Sequence, residues 1–83
     1  MSKISVKSVL EIVRASVDDK DITIDHNSSS LNIPTWDSLI QINILVALDD
    51  ILEGKAAEID ELSTAASVEQ ILNILKLNNL LED

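Results

Sequence analysis

Cysteine does not occur in the 83 residues, which excludes disulfides and thiolate metal sites and is compatible with a reducing cytosol. Aromatic residues are nearly missing as well: Trp36 stands alone, alongside a single glycine, Gly54, and a single proline, Pro34. A chain rich in aliphatic residues and this poor in aromatics and helix breakers favours helices over sheets. There is no long hydrophobic run. The longest uninterrupted apolar stretch, 44–48, is far short of the ~20 residues of a membrane helix, and Lys3 and Lys7 are followed by mixed residues rather than by the apolar core of a signal peptide. Bases are scarce. Fifteen acids against six bases leave a net charge of −9, which repels nucleic acid and anionic lipid and favours basic protein surfaces. The expectation is a soluble, cytoplasmic monomer made of one domain, 1–83, with proteins as partners and no membrane insertion.

What is present is helix punctuation. Ser5 reads as an N-cap with Ile4 and Val9 as a hydrophobic staple, and Val6, Leu10, Val13 and Val17 follow at helical spacing. That run stops at Asp18, Asp19 and Lys20. From there to Trp36 no helical period is sustained, and HNSSS interrupts the segment, so a long loop is expected, pinned by Ile22, Ile24, Leu31 and Ile33. A second helix is predicted over 38–53, closed by Gly54. SVEQ at 67–70 is a capping-box pattern opening a last helix with Val68, Ile71, Leu72 and Leu75 as its stripe. Ile59 and Leu62 anchor one short helix over 60–65. The fold class is all-α, a small bundle of three main helices and one minor one, with a long loop between the first two.

The second helix carries two apolar faces. On a wheel of about 100° per residue, Ile44, Leu45, Leu48, Ile51 and Leu52 form an ordinary core stripe. Leu39, Ile42 and Val46 fall on the opposite side, in the company of Asp49, Asp50 and Glu53. A strip of this kind, edged by acids that are costly to bury, reads as a docking surface. The plainer alternative is that the long loop folds back and covers it.

Ser38 lies at the start of that helix, behind Asp37. Nucleophilic catalysis needs a base within reach, and the lone histidine, His26, sits in a polar loop with no paired residue at a recognisable spacing. Hydrolase signatures such as GxSxG are absent, and no second histidine or cysteine could complete a metal site with His26. A serine acting as acceptor fits better. A hydroxyl at a helix N-terminus can be esterified to phosphate, whose charge meets unpaired N–H groups and the positive end of the macrodipole. The other reading makes Asp37 or Thr35 the N-cap and Ser38 an ordinary first-turn residue.

Taken together, the first helix, the long loop, Asp37-Ser38-Leu39 opening a second helix that ends in acids, the short third helix and the last helix begun by Ser67 and Val68 resemble the acyl carrier protein family over nearly the whole chain. The resemblance implies that Ser38 carries 4'-phosphopantetheine, taken from coenzyme A by a magnesium-dependent phosphopantetheinyl transferase. It further implies that acyl or aminoacyl cargo is held as a thioester on the arm, that a loading enzyme and a downstream synthase or transferase are partners, and that the chain has no catalysis of its own. The motif departs from that of many fatty acid carriers. Thr35 and Trp36 precede Asp37 where glycine is common, Ile40 follows Leu39 where an acid is common, Leu52 replaces a phenylalanine and Asn43 an acid. Trp36 resembles the variant motif of specialised carriers. The competing expectation is an unmodified helical adaptor that binds a partner through Leu39, Ile42 and Val46.

Overall fold

The computed structural model describes residues 3–18 and 21–82. Its helices are α1 (Val6–Val17), α2 (Ser38–Ile51) and α3 (Val68–Leu77), with two 3₁₀ turns, Ala56–Glu58 and Asp60–Thr64, between α2 and α3. The protein is thus a small all-α bundle. Each helix begins where a short polar side chain can satisfy an orphan amide: Ser5 accepts from the Ser8 N–H at 3.1 Å, Asp37 from Ile40 at 3.0 Å and Ser67 from Gln70 at 3.1 Å. Caps of this kind contribute about 0.5–2 kcal/mol each. Ile4 and Val9, the two halves of the expected staple, are both buried.

The helix ends are set by the core. After α3, Asn79 takes a left-handed φ of 59°, the Leu80 N–H donates to Leu75 O at 2.8 Å, and Leu80 is turned inward. α2 ends two residues earlier than its sequence suggests. Leu52 is its cap residue, Glu53 occupies the left-handed position at φ 55°, and the Gly54 N–H closes on Asp49 O at 3.1 Å with φ 88°. Leu52 and Ala56 are both fully buried, so the chain must turn between them, and the left-handed site falls on glutamate as well as on the glycine. The stop of α1 falls on Asp18, which is left-handed; Asp19 and Lys20 of the same run lie outside the described residues.

Val68, Ile71, Leu72 and Leu75 of α3 are all buried, as their spacing predicts. In α1 the buried line is Val9, Val13 and Val17, with Val6 and Leu10 half-buried on its flank. In α2 Ile44, Leu48 and Leu52 are buried and Leu45 is half-buried. Ile51, expected in the core, is 42% exposed. It lies at the edge of the wheel sector, lining an open surface between α2 and α1 together with Ile12 and Ala15.

Ile33 and Trp36 are the deep anchors of the long loop, and Ile22 and Ile24 are half-buried. Leu31, expected to be a fourth anchor, is 96% exposed. It sits at the apex of a polar turn in which the Leu31 N–H donates to Ser29 Oγ and the Asn32 side chain donates to Asn27 O. Backbone bonds then strap the loop to the start of α3: Ser30 N–H to Ala66 O and Val68 N–H to Ser28 O, each at 2.9 Å. This strap is why the loop does not fold back over the outer face of α2. The minor helix expected over 60–65 is the second 3₁₀ turn, with Leu62 buried and Ile59 half-buried; the turn Ala56–Glu58 before it has no clear sequence signal.

Candidate functional site at the start of helix α2

Asp37 is the N-cap, so its carboxylate is engaged with Ile40, and Ser38 is the first helical residue. The Ser38 side chain is exposed, and among the described residues nothing engages its hydroxyl. The first bond of the helix runs from the Gln41 N–H to Asp37 O, which leaves the Ser38 and Leu39 amides in the turn that has no intrahelical acceptor. A hydroxyl, two such amides and the positive helix end therefore converge on one exposed spot.

Behind that spot is a polar clamp that the sequence reading missed. Trp36, buried in the core, donates its indole N–H to Gln41 Oε1 at 2.8 Å, and Gln41 Nε2 donates to Leu62 O at 3.1 Å and Ala65 O at 2.9 Å. One amide thus joins the loop before the site, α2, and the second 3₁₀ turn. A buried tryptophan needs a partner for its N–H, and a glutamine five residues on was the available signal. Beside the clamp is a concavity of about 290 Å³, lined by Ser38 and Asp37, the hydroxyls of Ser30, Ser63 and Thr64, and Trp36, Gln41 and Ala66.

The second expected feature is the outer strip of α2. Leu39, Ile42 and Val46 are 63%, 56% and 62% exposed, and Asp50 is exposed near them. The acids divide. Asp49 is half-buried and its Oδ1 accepts from the Ala57 N–H at 3.0 Å, so it pins the first 3₁₀ turn to the helix. Glu53 lies beyond the end of α2, in the left-handed closure, so the helical wheel that placed it on the strip does not extend to it. His26 is an exposed loop residue, and among the described residues no group of three or more acids and histidines is arranged to hold a metal. Compared with known protein families, with curated proteins and with solved structures, the chain matches none.

Proposed function

We propose that this protein is a carrier whose Ser38 bears 4'-phosphopantetheine and which presents acyl or aminoacyl cargo to partner enzymes. The observation that carries this reading is the exposed, unengaged Ser38 hydroxyl on the first turn of α2, behind a cap already satisfied by Asp37. The residues around it fit such an arm. The Ser38 and Leu39 amides suit the phosphodiester charge, and the concavity beside Ser38 mixes hydroxyls and the Gln41 amide with the Trp36 wall, which suits a chain carrying amides and methyl groups. When bound, the arm supplies a terminal thiol for thioester formation, which a chain without cysteine does not have. Asp37 keeps an anionic group beside the acceptor, which suits a transfer assisted by magnesium.

A phosphopantetheinyl transferase and the loading and downstream enzymes then read the strip Leu39, Ile42 and Val46, with Asp50 steering basic partners. The departures at Thr35, Trp36, Ile40 and Asn43 favour a specialised carrier over one for primary fatty acid synthesis. A second reading has its own support: Asp37 is a complete N-cap and the strip stands exposed, as an unmodified adaptor would also require.

Intact mass decides between them. Incubation with coenzyme A, magnesium and a promiscuous transferase is expected to add one phosphopantetheine to the protein and none to Ser38→Ala. Loading of Ser38→Ala would move the acceptor elsewhere, and no loading of the unaltered protein would favour the adaptor.

A further inference from the structure

α1 and α2 lie side by side with a cleft of about 560 Å³ between them. Its apolar floor comes from Ile12 and Ala15 of α1 and Ala47 and Ile51 of α2. Ile51 is the large residue that the core leaves uncovered, and its exposed side chain is among those lining the cleft. The floor residues are spaced three and four apart on neighbouring helices, which makes a groove with the period of a helix surface. Alanine at Ala15 and Ala47 lets another backbone approach closely.

Among the described residues, the charged side chains lining the cleft are Glu11 and Asp18, both acids. The bases of α1, Lys7 and Arg14, are not among its lining residues. A second copy of this chain would bring Glu11 and Asp18 towards their own counterparts on a molecule of net charge −9, which disfavours self-association. We propose that this cleft is a docking site, separate from the Ser38 face, for a basic amphipathic helix of a partner protein. Lysine or arginine on the helix flanks meets Glu11 and Asp18 while its apolar ridge covers Ile12 and Ile51.

The placement has a consequence for the carrier reading, although the site itself does not depend on that reading. Ser38 and Ala47 are nine residues apart, which puts them about 13 Å apart along α2 and on opposite sides of it. Asn43, on the rim of the cleft, and Asp50, both exposed, fall on the helical wheel between Ala47 and the strip Leu39, Ile42 and Val46. A partner helix seated in the cleft therefore leaves Ser38 and its strip open, and the protein can stay tethered to one partner while others act at Ser38.

The test is a titration of the full ¹⁵N-labelled chain with a synthetic leucine–lysine peptide whose leucines recur at helical spacing, followed by NMR. Amide shifts are expected at Ile12, Ala15, Ala47 and Ile51, with affinity unchanged in Ser38→Ala. Ala15→Arg should weaken binding by about tenfold or more, since it adds both a like charge and bulk at the floor. Ala57→Arg, an equal charge at an exposed site on the first 3₁₀ turn, should change it far less. Should Ala15→Arg fail to fold, Ile51→Ser removes apolar contact without changing charge and should still weaken binding several-fold. Shifts centred on Leu39, Ile42 and Val46, shifts spread over the whole acidic surface, or equal losses in Ala15→Arg and Ala57→Arg would each overturn the proposal.

Discussion

Helices α2 and α3 are both rich in isoleucine and leucine, yet they spend them differently. α3 buries Val68, Ile71, Leu72 and Leu75 and leaves one large apolar side chain, Leu77, exposed. α2 buries Ile44 and Leu48 along its length and exposes Leu39, Ile42, Val46 and Ile51. A helix needs only one apolar face to join a bundle. α3 therefore accounts for itself as structure, whereas α2 carries apolar surface on both sides of its core stripe that folding does not use. The contrast leaves α2, and not α3, with several exposed large apolar side chains along its length.

The largest expected effect lies where the two helices behave alike. Leu48→Ala in α2 and Ile71→Ala in α3 each empty a fully buried site, and each should cost about 2–5 kcal/mol in urea unfolding. An unchanged midpoint in Leu48→Ala would mean that α2 does not present this face to the core, and the contrast with α3 would fail.

Next comes the clamp. Gln41→Ala removes the acceptor of the Trp36 indole and the donor to two carbonyls, so it should cost about 1–3 kcal/mol, the penalty of leaving buried polar groups unpaired. It should also shift the emission of Trp36, the only tryptophan, as the indole N–H loses its partner. Full stability with unaltered emission would show that water replaces the amide without loss. Among the described residues the first turn of α3 is held by its Ser67 cap alone, which accepts from the Gln70 backbone N–H, so the matching change at Gln70 should be milder.

The legible parts of the fold were those fixed by near neighbours in sequence. Ser5, Asp37 and Ser67 mark helix starts because a cap needs only the amide three residues ahead, and the α3 stripe shows because its period is local. The strip on α2 was legible for the same reason. Leu31 and Ile51 misled because their exposure depends on distant chain: a polar turn lifts the first away, and the second lies at an open surface between α1 and α2. Asp49 looked like surface charge because the amide it accepts from, Ala57, is set by a turn with little sequence signal. The position of Ser38 was readable from its motif, but the concavity beside it depends on Ser63 and Thr64, brought there by Gln41.

A smaller effect belongs to the closure of α2. Nothing lies within 4 Å of where a Gly54 Cβ would stand, and its φ is 88°. Gly54→Ala should therefore cost about 1 kcal/mol through backbone conformation alone. Glu53→Gly should tend the other way, because glycine relieves the left-handed position that glutamate now holds. A Gly54→Ala protein as stable as the original would show that the turn relaxes to a φ that alanine accepts. The α3 closure, with Asn79 at its left-handed position, should gain less from glycine, since asparagine tolerates that conformation better than glutamate does.

The smallest change in stability should come from the exposed apolar residues, and there the two helices should part in function. Val46→Gln and Leu77→Gln each replace an exposed apolar side chain with a polar one of good helix propensity, so each should move stability by no more than about 0.5 kcal/mol. Neither leaves a cavity or an unpaired buried group. Val46 belongs to the strip beside Leu39 and Ile42, and a partner that covers the strip loses apolar contact when glutamine replaces it, which should appear mainly as faster dissociation. Leu77 stands alone at the end of α3, where no second large apolar side chain of that helix is exposed. Surface plasmon resonance with a phosphopantetheinyl transferase gives the comparison: dissociation should quicken for Val46→Gln and stay as it was for Leu77→Gln. Equal effects from the two would mean that a partner reads exposed apolar surface wherever it occurs, and the division of labour between α2 and α3 would no longer hold.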